Sequence, residues 1–147
     1  MDMMRLVPGA DTTVSALNAE RLKLEAISQN IANANVTGNS KGEPEPYQRK
    51  EVIFESMINQ ALKIEQSQSM TPSMVHAKVQ NANSGEGPKI YDPDHPDADA
   101  NGYVQMPNVN IHEEMVDMIL ASRSYEANLA AIKYGRKMAT QTLTIGR

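Results

Sequence analysis

The sequence contains no cysteine. This absence excludes disulfide bonds, thiol catalysis and cysteine-ligated metal sites. Long apolar runs are also missing, since no segment approaches the roughly 20 apolar residues of a membrane-spanning helix. We therefore expect no direct insertion into a membrane. Residues 1–9 lack the apolar stretch of a cleavable secretory signal, so any export is expected to follow another route.

Large aromatic side chains are scarce, with no tryptophan, one phenylalanine and five tyrosines among 147 residues. Because such side chains dominate compact cores, a single copy is expected to have a small core. Ten methionines supply flexible apolar surface that adapts to irregular partners. The net charge of -4 gives no field that would attract a polyanion, so nucleic acid is not an expected partner. This composition favours contacts between protein chains.

Residues 11–37 form the first of three predicted segments, a helix with Asp11 as N-cap and Gly38 as the residue after its end. Alternating three- and four-residue spacing marks a stripe that is apolar at six of eight positions. The stripe consists of Ala10, Thr13, Leu17, Glu20, Leu24, Ile27, Ile31 and Ala34. This pattern is typical of a helix in a coiled coil.

Residues 39–107 carry seven of the eight prolines, which argues against any long helix there. Strand-forming residues are concentrated at 47–54, at 75–79 in alternation with polar residues, and at the pairs 90–91 and 103–104. These patterns predict a small β-rich insert. Residues 55–70 fit either a short helix or a mobile loop.

Residues 110–145 form the third predicted segment, a long helix that starts at a capping box formed by Asn110 and Glu113. A stripe with alternating spacing of four and three residues runs through ten positions and is apolar at eight. It consists of Ile111, Met115, Met118, Ser122, Tyr125, Leu129, Ile132, Arg136, Ala139 and Leu143. Such a helix is about 50 Å long, so the shorter N-terminal helix leaves part of the stripe for other subunits.

Acidic and basic residues are concentrated in different parts of this helix. Three acidic residues lie in the early turns, and a basic cluster, defined as Lys133, Arg136 and Lys137, lies later. This order complements the helix macrodipole. So short a cluster is more typical of a solvated or salt-bridged helix face than of a site for nucleic acid or acidic lipid.

Two parts of the chain resemble the flagellar basal-body rod protein family. The run Ser28–Asn33, followed by Thr37 and Gly38, is similar to an N-terminal signature of flagellar rod and hook proteins. The second part resembles the proximal-rod members in particular and comprises the runs 97–110, 114–119, 121–128 and 142–147. The usual signature has Asn-Asn before Ile-Ala-Asn, whereas this chain has Gln29-Asn30.

The resemblance implies a structural component of the proximal rod, exported unfolded by the flagellar export apparatus and assembled in the periplasm. It implies a mainly α fold in which the terminal helices pair as a coiled coil inside a tube that transmits torque, with residues 39–107 outside. The implied partners are other copies, other rod proteins and the adaptor proteins between rod and membrane ring. No cofactor is implied.

We predict that twelve residues form the packing surface between subunits. They are Leu17, Leu24, Ile27, Asn30, Ile31, Asn33, Met115, Met118, Tyr125, Leu129, Ile132 and Leu143. A buried asparagine costs stability but fixes register, because a misaligned neighbour leaves its amide unpaired. The alternative is that Asn30, Asn33 and Asn35 only fray the helix end before Gly38.

Asp97, Asp99, Asn101 and Gly102 reproduce the first positions of an EF-hand calcium loop. The twelfth position is Asn108 where a bidentate glutamate is needed, and the flanking prolines forbid the two helices. An asparagine- and aspartate-rich turn before a short strand is therefore the preferred interpretation. The alternative functions are a calcium-binding module and a coiled-coil adaptor unrelated to motility.

No constellation for catalysis or metal binding emerges from the remaining motifs. His112-Glu113-Glu114 begins like a zinc-protease helix, but Val116 occupies the place of the second histidine. His76 and His95 are isolated. We therefore expect no enzymatic activity. Tyr125 is expected to pack against another helix, whereas Arg123 fits either an interface anchor or a solvated side chain.

Overall fold

The structure, a computed structural model, describes residues 10–39, 43–56, 75–83 and 85–145. Its elements are α1 (Ala10–Ala32), β1 (Lys50–Ser56), β2 (Val75–Asn81), β3 (Lys89–Tyr91), β4 (Tyr103–Gln105) and α2 (Ile111–Ile145). The prediction of two terminal helices around a small β-rich middle is confirmed. Residues 57–70, for which helix and loop were both left open, lie outside the described residues, and residues 55–56 belong to β1.

α2 begins where its sequence predicts. The side-chain Oδ1 of Asn110 accepts a hydrogen bond of 3.1 Å from the backbone N–H of His112, which satisfies one of the unpaired donors of the first turn. Glu113 and Glu114 place negative charge beside the positive end of the helix dipole. The helix then runs without a proline to Ile145.

α1 ends five residues earlier than predicted. The last turn is closed by Asn33, whose backbone N–H and side-chain Nδ2 both donate to the carbonyl of Gln29, at 3.0 and 2.7 Å. The chain then turns through residues 33–35. Gly38 lies beyond this turn, so its prediction as the residue that ends the helix was wrong. The local competition of asparagine side chains for backbone groups ends the helix first.

The two helices pack against each other in antiparallel fashion. Asn30, near the end of α1, contacts Glu114 at the start of α2. Ten residues earlier in α1, Glu20 contacts Ser124, ten residues later in α2. Because α2 is the longer helix, its last turns continue past the level of Ala10. No helix of the described part of the chain is long and apolar enough to cross a membrane.

β1 and β2 form an antiparallel hairpin that packs on α1, with Val52 opposite Val79 and Phe54 opposite Ala77. The alternation of side chains puts these four apolar residues on one face. The other face carries Glu51, Ile53, Glu55, His76, Lys78 and Gln80 and is mostly polar. The backbone N–H of Val75 donates to Ser15 Oγ on α1 at 3.2 Å. α1 is therefore the common partner of α2 and of this hairpin.

β3 and β4 form a second, smaller hairpin, in which Tyr91 lies opposite Tyr103 with the rings edge to face at 5.3 Å. Its position is fixed by Thr37, whose hydroxyl donates to Asp97 Oδ2 at 2.7 Å. Gly102 has a φ of 80°, a conformation that favours glycine, and its turn leads into β4. The β3–β4 hairpin thus lies at the end of the helix pair where α1 ends and α2 begins.

Candidate functional site

Asn30 is the centre of a buried hydrogen-bond network between α1, β1 and α2. Its side-chain Nδ2 donates to the backbone carbonyl of Lys50 at 2.8 Å and to Glu114 Oε2 at 3.0 Å. Its Oδ1 accepts from the Lys50 backbone N–H at 2.8 Å and from the Tyr47 hydroxyl at 3.0 Å. We call Asn30, Tyr47, Arg49 and Glu114 the Asn30 network. All four hydrogen-bonding positions of the Asn30 amide are used.

Glu114 supplies the charge of the Asn30 network. Its side chain is only 1% exposed, and its Oε1 lies 2.7 Å from Nε of Arg49. A carboxylate removed from water is costly unless it is paired and hydrogen-bonded, and Glu114 has both kinds of partner. Burial raises the pKa of Tyr47, and the negative charge of Glu114 raises it further. The Tyr47 hydroxyl therefore stays protonated and remains a donor to Asn30.

The Asn30 network fixes the relative position of three elements. A shift of α1 by one residue along α2 would remove the Asn30 amide from Glu114 and from the backbone of Lys50, leaving buried polar groups unpaired. Each such group costs roughly 1–3 kcal/mol, more when it is charged. Asn30 therefore sets the register between the helices within one chain.

The other two asparagines behave differently. Asn33 is half-buried, and its side chain binds the last turn of α1. Asn35 is exposed in the following turn. Asn30 thus pairs with groups of its own chain, and Asn33 closes the last turn of α1 rather than fraying it. A role of these residues in the register between subunits stays a prediction.

The face of α2 that is least exposed follows a regular alternation of three and four residues. It consists of Ile111, Glu114, Met118, Ala121, Tyr125, Asn128, Ile132, Gly135 and Ala139. Five of these positions belong to the predicted stripe, and the other four each lie one residue before a stripe member, namely Met115, Ser122, Leu129 and Arg136. Glu114, Ala121, Asn128 and Gly135 are polar or small, so large apolar side chains occupy only the alternate positions of this face.

The residues predicted to pack between subunits have varied exposure in the single chain. In α1, Ile27 and Asn30 are buried, and Leu17, Leu24, Ile31 and Asn33 are half-buried. In α2, Met118, Tyr125 and Ile132 are half-buried, and Met115, Leu129 and Leu143 are exposed. Their role between subunits stays a prediction, since the structure contains one chain.

A second apolar surface of α2 faces away from α1. Two residues advance about 200° around a helix, so Val116, Leu120 and Tyr134 lie opposite Glu114, Met118 and Ile132. We define the outer face of α2 as Val116, Ile119, Leu120, Tyr134 and Met138, all of which are exposed. α2 is therefore apolar on two opposite sides, and α1 covers one of them.

The aspartate-rich turn stabilises the β3–β4 hairpin through hydrogen bonds to its backbone. Asp99 Oδ1 accepts from the backbone N–H groups of Asn101 and Tyr103 at 2.8 and 2.9 Å. These backbone hydrogen bonds, that from Tyr103 first, lower the pKa of the exposed Asp99 carboxyl. The predicted turn ahead of a short strand is confirmed. The described part of the chain holds no group of three or more acidic, histidine or cysteine side chains that could bind a metal ion.

The other residues singled out from the sequence lie apart from one another. His112 and His76 are exposed on α2 and β2, while His95 lies near Asp97 in the turn of the β3–β4 hairpin. Tyr125 is half-buried on the face of α2 that packs on α1, and Arg123 is exposed.

The Asn30 network includes three residues to which sequence reasoning assigned no such role, namely Tyr47, Arg49 and Glu114. One signal was present in the pattern. Glu114 follows Ile111 by three residues and precedes Met118 by four, so it occupies a position of the repeat that normally holds an apolar residue. A charge at such a position requires a buried partner.

Comparison with known proteins identifies the family. Residues 11–38 match the family model described as flagella basal body rod protein. Residues 100–145 match the model described as flagellar basal body rod FlgEFG protein C-terminal. The first match contains α1 with Asn30, and the second contains β4 and α2 with Glu114.

Relatives from distant bacteria match along nearly the whole chain. A protein of Agrobacterium fabrum is 39% identical over 131 residues, covering 89% of this chain and 88% of its own length. One of Bacillus subtilis is 36% identical, covering 93% of this chain and 95% of its own, and one of Salmonella typhimurium is 35% identical, covering 98% and 100%. The chain belongs to the flagellar basal-body rod protein family. Each of these three relatives is named flagellar basal-body rod protein FlgC.

Proposed function

We propose that this chain is a structural subunit of the rod of the bacterial flagellar basal body, where it assembles with other flagellar rod proteins. The observation that carries the proposal is the outer face of α2, which remains apolar and exposed beside an otherwise complete helix pair. Several large apolar side chains exposed on one side of a helix mark a protein interaction site. The family to which the chain belongs supplies the assembly in which such a site is used.

The mechanism we propose is mechanical. α1 and α2 form the coiled-coil inner part of a tubular proximal rod, with the two hairpins outside, and neighbouring subunits cover the outer face of α2. The subunit reaches the periplasm through the flagellar export apparatus and contacts the adaptor proteins of the membrane ring. Many parallel apolar contacts allow the thin tube to transmit torque. The chain has no catalytic role.

Assembly and ordering are coupled in this proposal. Ordering costs roughly 1–2 kcal/mol per residue for the backbone, and a core built largely of small side chains offsets little of it. The helices of the free subunit are therefore expected to be less ordered than those in the rod. Circular dichroism of the purified chain at low concentration tests this point, and a free chain in which both helices are complete along their whole length would contradict it.

Leu120→Asp tests the interface itself. Leu120 is 58% exposed, so the charge costs the isolated chain little, but an assembled neighbour would bury it without a partner. In a strain lacking the gene, the variant should be exported yet fail to enter isolated basal bodies. Asn18→Asp, at an exposed position of α1, adds the same charge away from the outer face and should assemble. Normal rods with Leu120→Asp, or flagella in the deletion strain, would overturn the proposal.

The two alternative functions lack support of this kind. A calcium-binding module would need carboxylates directed to an ion, whereas Asp97 and Asp99 bind Thr37 and the hairpin backbone. An adaptor unrelated to motility is not favoured, because the curated relatives are rod proteins.

A further inference from the structure

Acidic and basic residues are concentrated in different parts of the chain, and the separation extends beyond the helix whose dipole would favour it. Residues 86–117 contain eight acidic residues and one basic residue, Lys89. Residues 127–147 contain four basic residues and no acidic residue. In the fold, this separation becomes a difference between the two ends of one molecule.

The basic end is the last part of α2. Lys133, Arg136 and Lys137 are exposed, and no ion pair joins them to another residue of the described ranges. They lie beside Tyr134, which is 67% exposed, and Met138, both on the outer face of α2. This end therefore combines free positive charge with an uncovered apolar surface.

The acidic end is the β3–β4 hairpin. Ile90, Tyr91 and Tyr103 are exposed large apolar or aromatic side chains, and the two tyrosine rings pack on each other. The exposed residues Asp92, Asp94 and Asp99 lie in the segment that joins β3 to β4, and Lys89 on β3 is the one basic residue near them. The hydrogen bonds of the aspartate-rich turn and the antiparallel pairing of β3 with β4 hold this surface in a fixed shape. Rigid tyrosine side chains with a polar rim are typical of interface hot spots.

The two surfaces cannot meet within one chain. The hairpin adjoins the start of α2, and Lys133 lies 22 residues beyond Ile111, about 33 Å along the helix axis at 1.5 Å per residue. Side chains reach only a fraction of that distance. The opposite charges and the two apolar surfaces can therefore come together only between molecules.

We propose that the basic end of α2, centred on Tyr134, docks on the β3–β4 hairpin of a second copy of this chain. The contact is heterologous, since it joins different surfaces of the two copies, and it leaves the opposite surface of each copy free for the next. Opposite charges set the direction of docking and disfavour contacts between like ends. The inference rests on the proposed function and adds the partner and the surfaces of one contact.

Photo-crosslinking tests which segment covers Tyr134. The residue is replaced by p-benzoylphenylalanine in the full chain, basal bodies are isolated after irradiation, and crosslinked peptides are identified by mass spectrometry with two isotopically distinct copies. The expected product joins position 134 of one copy to residues 89–105 of the other. A product with another segment, a product with a different rod protein, or no product between copies overturns this inference. Presence of the chain in the basal bodies separates that result from a failure of the proposed function.

A charge exchange tests the electrostatic part with matched controls. Arg136→Glu with Lys137→Glu should reduce the crosslink between copies on the order of tenfold, because repulsion replaces attraction at the contact. Arg21→Glu with Lys78→Glu changes the net charge equally at exposed positions away from both surfaces and should leave the yield unchanged. Adding Asp92→Lys and Asp94→Lys to the first pair should restore the yield. Unchanged yield in the first variant, or no recovery in the second, overturns the proposal.

Discussion

Nε of Arg49 lies 2.7 Å from Oε1 of Glu114, and the two side chains differ in exposure, 28% for the arginine and 1% for the glutamate. The pair therefore lies at the edge of the interior, with the acid inside and the base partly in water. Arg49 follows the Pro-rich segment and precedes β1, whereas Glu114 belongs to the first turn of α2. A single contact thus joins segments separated by 65 residues.

Glu114→Ala should lower the free energy of unfolding by about 3 kcal/mol, since it removes the partner of Arg49 and one acceptor of the Asn30 amide. Glu114→Gln preserves the shape and one hydrogen bond, so its effect should be smaller. Glu126→Ala, at an exposed position in the middle of α2, is the matched control and should change stability by less than about 0.5 kcal/mol. Chemical denaturation of the three variants measures the differences, and equal effects at both positions would refute a structural role for Glu114.

Asn30→Asp tests the register contact by replacing a single atom. The new oxygen would face the carbonyl of Lys50 and the carboxylate of Glu114, which are both acceptors. We expect a loss of about 3 kcal/mol or more, because repulsion replaces two buried hydrogen bonds. Asn35→Asp makes the same chemical change in an exposed turn and should be close to neutral. Thermal unfolding monitored at 222 nm separates the two variants, and a stable Asn30→Asp chain would show that another contact fixes the register.

The turn of the β3–β4 hairpin should depend on pH through Asp99. Its pKa is lowered from an ordinary value of 3.8, so the stabilisation is fully present above that value and is lost as the pH falls through the lowered pKa. The amide proton shift of Tyr103 should therefore titrate with a midpoint below 3.8.

Asp99→Asn keeps an acceptor oxygen but removes the titrating group. The Tyr103 amide of this variant should lose the transition. A midpoint at or above the ordinary value in the unchanged chain would contradict the role assigned to the backbone hydrogen bonds.

Gly87→Ala should displace the β3–β4 hairpin. A Cβ at this position would overlap the backbone carbonyl of Met106, and Gln105 Nε2 already donates to the Gly87 carbonyl at 2.6 Å. Overpacking of this kind costs about 1–3 kcal/mol. Gly85→Ala is the comparison, since its added Cβ meets nothing within 4 Å and its cost comes from a φ of 68° alone, about 1 kcal/mol. Equal shifts in the melting temperature would count against the overlap.

The sequence predicted most of the secondary structure because local signals determine it. Asn110 and the uninterrupted helical pattern set the limits of α2, and alternation of apolar residues located β2. The end of α1 was misplaced because Gly38 is a stronger general signal than Asn33, although the side chain of Asn33 closes the last turn. Short polar side chains that bind the backbone in this way end helices without a distinctive pattern.

The stripe of α2 shows where periodicity alone fails. The predicted stripe and the observed face toward α1 share five residues, namely Ile111, Met118, Tyr125, Ile132 and Ala139. At the positions between these residues, the two are offset by one residue. The predicted stripe was the more apolar of the two because it included Met115 and Leu129. The face toward α1 contains Glu114 and Asn128 instead.

The pairing of Glu114 with Arg49 and Asn30 depends on long-range contacts that no local pattern contains. The carboxylate of Glu114 is buried because of its tertiary contacts and not because of its hydrophobicity. The Asn30 network therefore emerges only when the fold is known.

The Asn30 network lies at one end of the helix pair, so the two ends of the pair should separate with different ease. Toward Ala10, Ser124 donates to Glu20 Oε1, while the buried Glu20 Oε2 has no partner among the described residues. Separation of the helices should therefore begin at the Ala10 end, with the Asn30 end acting as the pivot. A subunit hinged in this manner would keep its helices aligned while they separate at the Ala10 end.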